Sequence, residues 1–222
     1  MNVAKLIVLL LVAVQPCGGA RQWQADVWQA GDTVRANVAV AEAQAFRPVP
    51  VPRDVLLRMK RKSLAEDSQV PVADLRYVRI LHYTLQGAVL RGEMVVHRHI
   101  ADDVADIFRQ LYRARYPIEC VRLIDDFDGD DERSMRANNT SGFCHRTVAG
   151  SKRLSKHALG MAVDLNPLYN PCFRTRRDSS GRVVGYYGLQ PSTAAAYVDR
   201  TARFAYKIDS GDLAVCLFKA KG

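Results

Sequence analysis

No apolar run in this sequence is long enough to cross a bilayer, acid is scarce relative to base, no internal repeat is present, and the cysteines have no zinc-knuckle spacing. The run from Leu6 to Val14 is about half of the roughly 20 residues that a hydrocarbon core requires, which argues against a stable membrane anchor. Preceded by Lys5 and followed by Gly18, Gly19 and Ala20, it has the order of a secretory signal peptide, with cleavage expected after Ala20. Lipid modification at Cys17 is disfavoured by Pro16, where a small residue is wanted. Cys120, Cys144, Cys172 and Cys216 survive cleavage into a compartment where disulfides persist; three pairings are open to them and the spacing selects none. Lysine and arginine number 32 against 23 acids, a net charge of +9 that becomes +8 once Lys5 is removed. Export across the cytoplasmic membrane, to periplasm or cell envelope, takes nucleic acid off the expected partners. The polyanions left are wall polymers, lipopolysaccharide and phospholipid head groups, with simple solubility as the plain alternative.

What is present is a globular composition, 48% apolar and 25% charged over 222 residues, enough for one domain with a proper core. Residues 21–70 read as an extension and linker, with Arg47-Pro48-Val49-Pro50-Val51-Pro52 followed by a basic run around Lys60 to Lys62. The patterned domain is expected over 71–222. Val78, Ile80 and Leu81 lie in one strand-like segment and Met94, Val95 and Val96 in a second. Ile100, Val104, Ile107, Phe108, Leu111 and Tyr112 repeat at helical spacing, and Pro117 ends that helix. Ile118 to Ile124 reads as a buried strand. The acidic loop from Asp125 to Asp131 fails the calcium-loop template, having Asp131 at the sixth position and Ala137 at the twelfth, and is expected to be a solvated turn before a helical segment near Ser134. Strands and helices interspersed without a βαβ rhythm predict an α+β fold, an antiparallel sheet with helices packed on one side.

The chemistry concentrates in Ser155-Lys156-His157-Ala158-Leu159-Gly160-Met161-Ala162-Val163-Asp164-Leu165-Asn166-Pro167. Its second half alternates, so a strand is expected with Met161, Val163 and Leu165 on one face and Ala162, Asp164 and Asn166 on the other. Gly160 permits a turn that returns His157 toward Asp164, and an imidazole converging with a carboxylate suits zinc. Taken alone, the two residues fit a capped turn and a strand end better than a metal site.

The whole pattern S-x-H-x-x-G-x-A-x-D resembles the metal motif of the zinc D-alanyl-D-alanine carboxypeptidase and L-alanyl-D-glutamate peptidase family. Gly92-Glu93-Met94-Val95-Val96, Tyr116-Pro117-Ile118, Ser134 to Ser141 with Phe143 and Arg146, Asn166 to Pro171, and Tyr206-Lys207-Ile208 extend the resemblance, and are closest to its endopeptidase-type, VanY-like branch. The resemblance implies a Hedgehog/DD-peptidase-like sheet and peptidoglycan stem peptides as substrate. It implies zinc held by His157 and Asp164, Arg146 as the catalytic oxyanion stabiliser, and Ser155 as a substrate or loop support, with capping as its alternative.

Family members continue into a Gly-Trp-rich strand and an Asp/Glu-x-x-His motif carrying the general base and the third ligand. No histidine follows His157 here. The expectation is therefore a domain without its last strand, weak zinc binding and impaired activity. His145, beside Arg146, is the best-placed substitute ligand; His97 and His99 sit at a strand-to-helix junction, and His82 lies in a strand. A truncated peptidase, a non-catalytic wall-binding homologue and an enzyme with a rebuilt site are the three readings left open.

Overall fold

The computed structural model describes residues 28–35, 38–148 and 150–222; the expected signal peptide and Cys17 lie outside them. The first elements are α1 (Val38–Gln44), β1 (Pro48–Pro50) and α2 (Arg53–Met59), followed by the long hairpin of β2 (Leu75–Tyr83) and β3 (Val89–His97). Next come α3 (Ala101–Arg113), β4 (Cys120–Val121), α4 (Asp131–Arg136) and β5 (Asn139–Thr140). A ribbon of β6 (Cys172–Arg177) and β7 (Val183–Gln190) precedes α5 (Leu213–Lys219). The architecture is α+β with small, mainly antiparallel sheets. No helix among the described residues is long and apolar enough to cross a membrane.

The sheet β1-β2-β3 is antiparallel throughout, with β2 central. Proline has no N–H to give a ladder, so a Pro-x-Pro strand can sit only at an edge, and β1 does so. The even positions Val78 and Ile80 of β2, with Met94 and Val96 of β3, meet the apolar stripe of α3 formed by Val104, Ile107, Phe108 and Leu111. Asp102 and Asp103 in the first turn of α3 and Arg113 in its last complement the helix dipole. The odd positions Leu75, Tyr77 and Val95 form a second cluster with Val55 and Met59 of α2 and with Val70. The described part of the segment expected as extension and linker is thus packed against the core from Trp28 and Val34 onward. Ala41, Ala45 and Phe46 enter the main core, and the second cluster runs across the boundary expected at residue 70.

Two further local expectations are corrected. Ile118 to Ile124 is buried at Ile118, Val121, Leu123 and Ile124, but only Cys120–Val121 pairs as strand, parallel to β5, and Ile124–Phe127 is a 3-10 turn. The acidic loop is only in part a solvated turn. Asp125 is buried and accepts from the backbone N–H and the hydroxyl of Ser63, Asp126 pairs with Arg58 and Arg122, and Asp130 caps α4 through the N–H of Arg133. Asp128 and Asp130 stay exposed, Asp128 pairing with Lys62 and Arg133. All four of Cys120, Cys144, Cys172 and Cys216 are free thiols.

The outer edge of β3 is where the site is attached. Arg91 accepts there from the N–H of Gly31 and donates to the carbonyl of Asp32, Phe143 donates to the carbonyl of Val95, and His97 donates to the carbonyl of Gly160. Segments 141–144 and 157–160 therefore hang from one strand. Phe108 is fully buried where α3 meets the sheet, and Phe108→Ala should cost about 3–5 kcal/mol of unfolding free energy. Urea denaturation followed by circular dichroism checks this; a loss under about 1 kcal/mol would mean that the helix is not what closes this core.

Candidate active site

The motif does not form the strand that its alternation suggests. His157–Leu159 is a 3-10 turn, and Gly160 reverses the chain in the left-handed region at φ 64°. A side chain there would put a Cβ 2.7 Å from the backbone nitrogen of His97, so the position accepts only glycine. Beyond it the chain makes one antiparallel bridge, Asp164 with Ser141, through backbone bonds of 3.0 and 3.1 Å. Asn166 then turns left-handed at φ 46° and ends any extended run. Its side chain takes over the bonding: Nδ2 donates to the carbonyl of Pro117, and Oδ1 accepts from the N–H of Glu119. Asn138 and Asn139 do the same nearby, Asn138 Oδ1 accepting from Leu168 and Asn139 bridging both backbone groups of Arg122. Buried amides thus replace a ladder that the short strands cannot make.

The segment 141–144 assembles the site. Ser141 fixes the Asp164 backbone, the carbonyl of Gly142 faces His157 Nδ1 at 2.8 Å, and the N–H of Cys144 donates to the carbonyl of His157 at 3.1 Å. Ser155 is buried, and its hydroxyl accepts from the N–H of His157, which is a loop-holding contact. With the Nδ1 proton directed at Gly142, Nε2 of His157 is turned to Asp164 Oδ2 at 3.3 Å. His157 is nearly covered and the Asp164 side chain is one-third exposed, so the pair opens to solvent on the carboxylate side.

Arg146 Nε lies 2.8 Å from Oδ2 of Asp131, at the start of α4. The contact is one of charge, because the N–H is not aligned on the oxygen as a hydrogen bond. Arg146 is close enough to His157 and Asp164 for its charge to act on both. Burial pushes the carboxyl of Asp131 up, Arg146 opposes that, and the charge of Asp164 adds to it. Burial also works against the charged form of His157, but the hydrogen bond and charge of Asp164 outweigh it and the imidazole is raised above its usual value. Asp164 mirrors this: burial disfavours its charge, His157 and Arg146 favour it more, and the carboxyl is held below the usual range.

The donor set admits zinc. Two ligands on one tetrahedral ion with bonds near 2.0–2.2 Å stand about 3.4 Å apart. His157 Nε2 and Asp164 Oδ2 stand at 3.3 Å, with the histidine tautomer already fixed by a carbonyl. They fit as two ligands, although no group of three His, Cys, Asp or Glu poised for a metal occurs among the described residues. The substitute histidines are engaged elsewhere. His145 faces Asp67 at 3.7 Å, His97 Nδ1 accepts from the N–H of His99, and buried His82 bonds the carbonyl of Ile118 at 2.7 Å. Burial lowers His82 to about 4, so it stays neutral.

A family model described as D-alanyl-D-alanine carboxypeptidase matches residues 149–221. The chain resembles that carboxypeptidase family. The match takes in Ser155, His157 and Asp164, leaves Arg146, Asp131 and Gly142 outside, and supports a peptidase acting on peptidoglycan. No curated protein and no solved structure matches the chain. Within the carboxypeptidase motif the sequence pointed to His157 and Asp164, and the fold brings these together with Arg146. It missed Gly142 and Asp131: the first is visible only as a glycine beside Phe143, the second only as one acid among several.

Gly142 has no room for a Cβ, which would lie 2.5 Å from the carbonyl oxygen of Val95. Gly142→Ala should therefore lose about 1–3 kcal/mol of stability and loosen His157, read as a lower urea midpoint; an unchanged midpoint would show that the approach to β3 is not tight. The ion pair also sets a pH window in metal-free protein. The raised His157 contributes fully below its unfolded value of about 6.5 and is lost as pH rises through its folded value. The lowered Asp164 contributes fully above about 3.9 and is lost as pH falls through its folded value. The stability difference between wild type and Asp164→Asn should peak between about pH 4 and 6.5 and shrink on both sides; a difference flat across pH would remove the ion pair from the account.

Proposed function

We propose that this chain is an exported zinc peptidase of the cell envelope, impaired in activity, that acts on peptidoglycan stem peptides, of the D-alanyl-D-alanine carboxypeptidase or L-alanyl-D-glutamate endopeptidase type. The observation that carries the reading is the 3.3 Å convergence of His157 Nε2 and Asp164 Oδ2, with Nδ1 of the histidine occupied by the carbonyl of Gly142. The family match over 149–221 supplies the substrate class.

In this reading His157 and Asp164 would hold a zinc ion, which would supply an activated water of pKa about 7 and polarisation of the scissile carbonyl. Arg146 receives the negative charge that develops on the carbonyl oxygen as the amide is attacked. Asp131 keeps the guanidinium from swinging away through its charge, 2.8 Å from Nε. Ser155 maintains the 157–160 turn through the N–H of His157, and through that loop it supports whatever substrate the turn contacts. The raised pKa of His157 means that protons compete with the metal, so zinc binding should weaken as pH falls.

The test is zinc titration of the purified chain, read by melting temperature, together with release of D-alanine or cleavage of the L-alanyl-D-glutamate bond in a stem pentapeptide at excess zinc. Zinc should raise the melting temperature of wild type and leave His157→Ala and Asp164→Ala unchanged. Arg146→Ala should keep the zinc response and lose about 10²–10³ in kcat. Sedimentation with sacculi without zinc response or turnover would replace this reading with a wall-binding role.

A further inference from the structure

The β6–β7 ribbon takes no part in the site, and its composition is unlike the rest of the molecule. Over Cys172 to Gln190 it carries Arg174, Arg176, Arg177 and Arg182 against a single acid, Asp178. All four arginines are exposed. An isolated two-stranded ribbon is marginal in water and ordinarily needs something to cover one face. Among the described residues both faces are left largely open, with Tyr186 and Tyr187 each 44% exposed. The register places Arg174 and Arg176 on one face with Tyr187, and Thr175 on the other with Tyr186, against which Phe173 packs edge-on. Arg176 lies over the ring of Tyr187 at 5.7 Å, which holds a guanidinium and a phenol together on the open surface.

Toward the turn the pattern sharpens. Val183 and Val184 are 49% and 56% exposed, and Arg177 and Arg182 flank them. Arg177 donates to the carbonyl of Gly181, and Arg182 pairs with Asp178 at 3.2 Å, so the turn is internally braced while at least three guanidinium charges on the ribbon stay uncompensated by acid within it. Aliphatic side chains beside guanidinium groups, with tyrosines behind them, suit a surface that is anionic outside and apolar just beneath. Guanidinium groups take phosphate oxygens two at a time, tyrosine rings settle at the level of head groups, and valines gain only where water is excluded. A hydrated phosphate-bearing wall polymer would satisfy the arginines and leave Val183 and Val184 in water.

The geometry points to the β6–β7 ribbon as a peripheral docking surface for an anionic phospholipid bilayer, with the arginines on lipid phosphates and the two valines at the acyl boundary. The attachment is reversible, since its apolar contribution comes from two side chains and its electrostatic part is screened by salt. It is separate from the His157 site and holds whether or not that site hydrolyses peptides.

The experiment is flotation of the full chain with vesicles of phosphatidylcholine alone and of phosphatidylcholine mixed with phosphatidylglycerol, at physiological ionic strength, with amide hydrogen exchange read on both. Wild type should partition to the anionic vesicles at least about tenfold more strongly than to neutral ones, with protection confined to residues 172–190. The fourfold variant Arg174→Gln, Arg176→Gln, Arg177→Gln, Arg182→Gln should lose that preference, and Val183→Ser with Val184→Ser should weaken partitioning several-fold at unchanged charge. The neutral vesicles measure any contribution of the apolar run Leu6 to Val14, which is common to every variant. Equal partitioning to both lipids, a serine variant that binds like wild type, or capture by purified sacculi in place of vesicles would each overturn the assignment, the last in favour of a wall polymer.

Discussion

The close seating of Ser141 to Cys144 against the edge of β3 is the constraint on which the candidate site depends. Gly142 reaches that edge because it has no side chain: a single Cβ would stand 2.5 Å from the carbonyl of Val95. From that position its carbonyl fixes the imidazole of His157, while Ser141 and Cys144 bind the backbones of Asp164 and His157. Two residues seven positions apart in the chain are thus oriented by one four-residue segment that is itself fixed to the sheet. The sheet is in turn held by α3 on one face and α2 on the other. A displaced hairpin would move both candidate ligands together.

Charge at the site is arranged in depth. His157 and Asp164 face each other, Arg146 lies close enough to act on both, and Asp131 stands behind Arg146. Removing any one member changes the charge that the others face, so substitutions here should be non-additive. The acidic loop adds to this, since it aims Asp131 at Arg146 while Asp125, Asp126 and Asp130 fasten the loop to Ser63, Arg58, Arg122 and α4.

Much of the frame was legible in the residues. The hairpin of β2 and β3 and the stripe of α3 follow from apolar periodicity, and the convergence of His157 with Asp164 was expected from the resemblance that the whole motif around Gly160 carries. Two kinds of feature were not. The alternation from Met161 to Asn166 reads as a strand, but a strand needs a ladder partner, and here only Asp164 finds one before Asn166 reverses. The Pro-rich stretch reads as a linker because composition does not reveal that prolines can serve as an edge strand when a hairpin presents the right register. Asp131 belongs to the same class: nothing local distinguishes it from Asp130, and only the fold turns one toward the cap of α4 and the other toward Arg146.

Cys144 donates its backbone N–H to the carbonyl of His157 and is almost wholly buried. Burial pushes its thiol up to about 12. Sulfur coordinates soft metals only as thiolate. In the metal-free protein this thiol therefore stays protonated and inert. The same seclusion shields that sulfur from oxidants, so the scaffold around His157 should be indifferent to the redox poise of whichever compartment it occupies.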